Sequence, residues 1–171
     1  MKYSGIIYND IANGTGVRTS LFVSGCRNNC PGCFNKEAQS FIYGNEFTDK
    51  EVNDIINSVN DYFHSGISIL GGEPMEPENA ICLLPFVEEF KNAHPDKTIW
   101  LYTGYTYEFI NSLPNNDYRK MLLKFVDVLV DGRFIEDKKD PTLPFRGSSN
   151  QRLIDVYKSL DNNNIELLKL K

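Results

Sequence analysis

The chain has 171 residues, 41% hydrophobic and 24% charged, with a formal net charge of −5. That length buries a core as one domain over residues 1–171, and an acidic balance with no arginine-rich run argues against nucleic acid as a partner. No apolar run approaches the roughly 20 residues that cross a bilayer, and the opening MKYSGIIYND lacks a charged region leading into an apolar one, so a soluble cytoplasmic protein without membrane attachment is expected.

In chain order, Asn13-Gly14-Thr15-Gly16 lacks the third glycine of a dinucleotide loop and precedes a strand, so it reads as a turn positioning Arg18. Thr19–Val23 is a β-branched and aromatic run ending at Ser24-Gly25, a strand emptying into the cysteine-bearing loop. Thr48-Asp49-Lys50-Glu51 is a capping-box pattern, and Val52, Ile55, Ile56, Val59 and Phe63 continue at helical spacing to about His64. Ile67–Leu70 is a buried strand stopped by Gly71-Gly72, and Glu78–Phe90 returns to helical spacing. Thr98–Thr103 reads as a strand, Thr106–Leu113 and Tyr118–Lys124 as short helices, and Phe125–Val130 as a strand ending at Asp131-Gly132. Gly132–Ser149 reads as a long surface loop with solvated charges; Ile154–Val156 and Ile165–Leu170 are possible strands of open topology. The repeated βα pattern implies an α/β fold with a mostly parallel sheet, whose ligands bind beyond the carboxyl ends of the strands.

Three of the four cysteines, Cys26, Cys30 and Cys33, fall within eight positions, spaced x3 then x2, which suits thiolate ligands better than a disulfide framework. Soft sulfur selects an iron–sulfur cluster or zinc. A closed zinc site wants four ligands, and neither His64 nor His94 stands at finger-like spacing; both lie near expected helix ends, where capping is the simpler role. Three ligands leave one position of a four-iron cube open to an exogenous ligand, while a structural metal knuckle remains the bland alternative. Cys82, inside the 78–90 helix, reads as a core thiol and not as a ligand.

The Asn13–Gly25 stretch, the CPGCFNK run from Cys30 to Lys36, GGEP at Gly71–Pro74 and FRGSSNQRLIDV at Phe145–Val156 together resemble the activating proteins of anaerobic ribonucleoside-triphosphate reductases, radical S-adenosylmethionine (SAM) glycyl-radical activases. The resemblance covers most of the chain in order. It implies an incomplete, open radical-SAM (β/α) barrel, with a [4Fe–4S] cluster on Cys26, Cys30 and Cys33 and with SAM as the second cofactor. It implies that an electron from an external one-electron donor cleaves SAM, and that the resulting 5′-deoxyadenosyl radical takes a hydrogen from a glycine of the reductase large subunit. Activation of another glycyl-radical enzyme, or a structural metal module without catalysis, are the competing functions.

By the same resemblance, Gly71, Gly72 and Glu73 hold the amino group of SAM, where the bland reading is an ordinary strand-to-helix turn. Gly32, Cys33 and Phe34 meet its adenine; the family's CPGC replaces the aromatic residue that other radical-SAM loops place before the third cysteine. Phe34 read alone is a core or loop aromatic. From its place at a strand end, apart from the resemblance, Asp131 is a candidate for the ribose of SAM or for a cation, and Arg133 for a carboxylate, against the plainer reading of structural turn charges. On this basis Gly72→Val is expected to weaken SAM binding while leaving the cluster intact.

Overall fold

The computed structural model describes residues 1–170. The chain runs β1 (Lys2–Asp10), β2 (Val17–Val23), β3 (Asn45–Glu46), α1 (Asp49–Ser58), β4 (His64–Gly71), α2 (Pro77–Ala93), β5 (Thr98–Tyr102), α3 (Tyr107–Ser112), α4 (Tyr118–Leu123), β6 (Val128–Asp131), β7 (Arg152–Asp155) and α5 (Val156–Asp161). The strands form one sheet in the order β3-β1-β2-β4-β5-β6-β7. Its centre, β2-β4-β5-β6, is parallel, while β1, β3 and β7 join antiparallel, so the α/β fold carries a mixed sheet. β3 and β7 are separate edges, and the sheet is open. The β7 edge is covered by the tail, where Leu168 N–H donates to the Leu153 carbonyl at 2.8 Å. No helix among the described residues is long and apolar enough to cross a membrane.

Strand alternation divides the interior between two faces. Leu21, Ile67, Ile69, Ile99, Leu101 and Leu129 pack under Ile55, Leu83, Val87, Phe90 and Leu122 of the helices. The opposite face carries a smaller cluster of Trp100, Val128, Val130 and Leu153. Arg18 lies on this second face, wholly buried, and its guanidinium is partnered by neutral groups alone. Nε donates to Ser68 Oγ at 2.9 Å, Nη1 to Thr15 O and Thr98 Oγ1 at 3.1 Å each, and Nη2 to Ile67 O and Thr98 O at 2.7 Å each. All five donors are used, and the Asn13–Gly16 turn closes over them, with Asn13 O accepting from Ser68 Oγ at 2.5 Å.

Several elements differ from the sequence expectation. α1 has its capping box at Thr48 and Glu51 but stops at Ser58. His64 instead begins β4, because pairing with Val17 draws it into the sheet. Its ring is buried beside Asn9, with Nε2 2.9 Å from Asn9 Oδ1, so it caps no helix; His94 is the C-cap of α2. β6 begins only at Val128, since Phe125 and Val126 still turn back onto α4 and Asp127 accepts the Ile99 N–H at 2.7 Å. Cys82 is half-buried on α2, its sulfur 3.7 Å from the Met1 amine, and therefore lies at the rim of the core. β1 escaped sequence reading because register shifts at Tyr3/Gly5 and Ile7/Asp10 break its alternation. α5 is too short for a period to show, although Asp155 caps it by accepting the Lys158 N–H at 3.1 Å.

Candidate functional site

Because β2, β4, β5 and β6 are parallel, their carboxyl ends share one edge of the sheet, where Val23, Gly71, Tyr102 and Asp131 end their strands. The cysteine-bearing loop leaves β2 there and is tied to the neighbouring strand end. Gly72 N–H donates to Val23 O at 2.7 Å, and Glu73 N–H to Gly25 O at 2.9 Å. On its other side Gly25 N–H donates to Ala38 O at 2.7 Å and Cys26 N–H to Gln39 O at 3.0 Å. Gly71 has φ +105°, a left-handed conformation that costs glycine little and other residues much.

Four polar residues unmarked by sequence reading hold this loop. Glu76 accepts from the Arg27 backbone at 2.7 Å and from Arg27 Nη1 at 2.6 Å, while Glu78 binds the same guanidinium and is held down to about pKa 2 by it. Asn28 Nδ2 donates to Glu73 Oε2 at 2.7 Å. The Asn79 amide nitrogen, buried at the start of α2, lies 3.0, 3.3 and 2.9 Å from the carbonyls of Ser24, Gly25 and Glu73. A signal for Asn79 was available: it shares the helical stripe of Leu83 and Val87, and a polar residue at a core position needs polar partners.

Glu73 is the hub of the arrangement. Its carboxylate is fully buried and accepts from Thr103 Oγ1 at 2.6 Å, Gly104 N–H at 2.7 Å, Met75 N–H at 2.9 Å and Asn28. Burial pushes its pKa up against these hydrogen bonds. With its lone pairs so occupied, the side chain joins the ends of β2, β4 and β5, and what Gly71–Glu73 offers a ligand is backbone.

Gly72 faces protein. A Cβ there would lie 2.7 Å from Gly25 O and 2.9 Å from Ala38 O. The expectation that Gly72→Val spares the cluster is therefore corrected: the branched side chain displaces the backbone on which Cys26 stands. Gly72→Val is expected to lose iron uptake and SAM affinity together, read by iron content after anaerobic reconstitution and by isothermal titration with SAM.

Cys26, Cys30 and Cys33 are free thiols, each half-buried. Burial raises the Cys26 thiol to about 11, with Glu73 and Glu76 adding to the effect, and burial also raises Cys30. Cys33 N–H donates to Cys30 O at 3.2 Å, closing a turn around Gly32. Three thiols carried on one loop are a soft-sulfur donor set of the kind that holds an iron–sulfur cluster. Phe34 projects into solvent at 95% exposure, so it is no core aromatic.

Asp131, at the end of β6, is buried and accepts from Tyr107 N–H at 2.8 Å and from Arg152 Nε at 2.9 Å. Arg152 also grips Glu108 through both terminal nitrogens at 2.9 and 2.8 Å. Beside this lattice lies an open cavity of about 660 Å³, lined in part by Gly104, Thr106, Arg133, Ile135 and Asn150. Hydrogen bonding to Arg152 lowers the Glu108 pKa from 4.5 to about 2. A depressed carboxylate stabilises the fold fully above its unfolded pKa, and that contribution is lost as pH falls through the folded value. Wild-type stability is therefore expected to fall between pH 4.5 and about 2. Glu108→Gln should flatten part of that fall, as measured by urea unfolding across the range.

A family model described as "4Fe-4S single cluster domain" matches residues 12–154. The anaerobic ribonucleoside-triphosphate reductase-activating protein of Pasteurella multocida is 42% identical over 153 residues, covering 88% of this chain and 95% of the relative. Its namesake in Escherichia coli K12 is 41% identical, covering 88% and 96%, and that of Enterobacteria phage T4 is 37% identical, covering 90% and 93%. With the cysteine-bearing loop and the Gly71–Glu73 turn both inside the matched region, the chain belongs to the family of anaerobic ribonucleoside-triphosphate reductase-activating proteins, built on a 4Fe-4S single cluster domain.

Proposed function

We propose that this chain is a radical-SAM activase that generates a glycyl radical on an anaerobic ribonucleoside-triphosphate reductase. The observation that carries the reading is the set of three free, half-buried thiols on one loop, fastened to the Gly71–Glu73 turn at the carboxyl edge of the parallel strands. In this reading the single domain is an incomplete radical-SAM barrel whose open side admits a segment of the reductase large subunit. It works in the cytoplasm, with an external protein or small-molecule donor supplying the electron.

Cys26, Cys30 and Cys33 would hold the cluster, leaving one iron for SAM. The chemistry that a bound cluster and SAM supply is one-electron cleavage to methionine and a 5′-deoxyadenosyl radical, which takes a hydrogen atom from glycine. The chain's own share is positional. Backbone of Gly71–Glu73 would hold the amino group of SAM, and Gly32–Phe34 would meet its adenine. Glu73, Glu76 and Asn79 keep the two turns in register. In this reading Asp131, held by Tyr107 and Arg152, lines the adjacent cavity and serves the ribose of SAM. The test is reductive turnover of the anaerobically reconstituted chain with SAM. Methionine and 5′-deoxyadenosine formed in equal amounts support the reading, and iron-loaded protein that leaves SAM intact contradicts it.

A further inference from the structure

Arg152 stands opposite Asp131 in the antiparallel β6–β7 ladder, and one guanidinium there holds two carboxylates. Nε donates to Asp131 Oδ1 at 2.9 Å and Nη2 donates to Asp131 Oδ2. The same fork reaches Glu108, with Nη1 on Oε1 at 2.9 Å and Nη2 on Oε2 at 2.8 Å. A planar guanidinium is thus fixed between a buried carboxylate and an exposed one, a bidentate arrangement that an ammonium cannot copy.

The lattice leaves Asp131 incompletely used. A carboxylate has about four lone-pair sites, two on each oxygen. Both sites of Oδ2 are filled, by Arg152 Nη2 and by the Tyr107 N–H at 2.8 Å, whereas Oδ1 accepts from Arg152 Nε alone. One acceptor site remains, on Oδ1. Asp131 lines the open cavity of about 660 Å³, and Gly104 and Gly132 line it too without bringing side chains to fill the space. A buried carboxylate with one unfilled site beside such a cavity suits a ligand that gives it one hydrogen bond.

We propose that Arg152 is a positioning residue that presents Asp131 to the cavity through this one site, so that the protein reads one of the two ribose hydroxyls of SAM and is indifferent to the other. The identity of the ligand rests on the SAM reading above. Arg152 touches no ligand in this role, since its contacts go to the two carboxylates.

Isothermal titration of the full, anaerobically reconstituted chain with S-adenosylhomocysteine and its 2′-deoxy and 3′-deoxy analogues tests this. In the wild type, loss of one hydroxyl is expected to weaken binding roughly 10-fold or more, the scale of a hydrogen bond to a charged group, and loss of the other by less than about 2-fold. Arg152→Lys keeps the charge and loses the fork, so the ratio of affinities for the two deoxy analogues is expected to fall to within roughly 3-fold of unity. Glu108→Gln alters an exposed side chain, leaves Asp131 in place and loosens Arg152 from its far side. Its ratio is expected to fall in the same direction by a smaller factor, and it carries the test should Arg152→Lys fail to fold. A merely structural role would weaken all three ligands alike and leave the ratio unchanged. Equal binding of the two deoxy analogues by the wild type, or a wild-type ratio in the folded variants, would overturn the proposal while SAM binding itself stands. A wild-type reconstituted chain that binds neither SAM nor S-adenosylhomocysteine would instead overturn the SAM reading, and the ribose as ligand with it.

Discussion

Replacing Cys26, Cys30 or Cys33 with alanine is expected to leave a folded chain that carries no four-iron cluster and cleaves no SAM, whereas Cys82→Ala reconstitutes like the wild type. Each of the three thiols is half-buried on a loop whose start is held from both sides, by Gly72 and Glu73 bonded to Val23 and Gly25 and by Ala38 and Gln39 bonded to Gly25 and Cys26, so truncating one sulfur does not release the loop. The loss is of a ligand and not of the fold. A cube held by two protein thiolates has two irons open to solvent and thiols, and soft sulfur ligation is the main contribution the chain makes to retaining it. Cys82 sits on α2 against the Met1 amine and has no part in the loop. Iron and acid-labile sulfide analysis of the four anaerobically purified variants, beside far-ultraviolet circular dichroism, checks this. Full iron and sulfide in any one of the first three would be fatal to the assignment.

The largest expected effect on stability lies elsewhere. Arg18→Met is expected to destabilise the fold by about 3–5 kcal/mol, because it strands several buried acceptors at once. Ile67 O and Thr98 O each lose a donor at 2.7 Å, and Thr15 O, Ser68 Oγ and Thr98 Oγ1 lose theirs as well. Methionine fills much of the volume over Trp100 but offers nothing to these groups. Burial already lowers the Arg18 pKa to about 10, since no carboxylate contacts it. Lysine is a poor substitute, as its three donors cannot span five contacts arranged around a planar fork. Urea unfolding monitored through Trp100 fluorescence measures the effect. A loss under about 1 kcal/mol would mean that water replaces the guanidinium contacts without penalty.

The parts of this protein that a linear reading finds are those whose partners lie close in sequence. The cysteine spacing, the Thr48–Glu51 capping box and the apolar runs of β4 and β5 are local patterns, and each appears in the structure near its expected position. The loop's supports are different. Glu76 reaches Arg27 and Asn79 reaches Ser24 across some fifty residues, so only folding shows that they serve the cysteine loop. The end of α1 is hidden for a related reason: Phe63 keeps the helical period, yet strand pairing of His64 with Val17 overrides it. The Gly132–Ser149 segment reads as a solvated loop because its charges are local and its hydrogen-bond partners are not. Asn150 and Gln151 hold Arg133 and Gly132 from the far end, and Glu136 of the same segment meets Gly32 of the cysteine loop.

The most direct test of the account mixes reduced, reconstituted chain with SAM and an anaerobic ribonucleoside-triphosphate reductase, and follows the sample by EPR while 5′-deoxyadenosine is quantified. A glycyl-radical doublet is expected to grow in step with 5′-deoxyadenosine and to be absent when any of Cys26, Cys30 or Cys33 is alanine. Cleavage of SAM by the wild-type chain with no doublet on the reductase would contradict it.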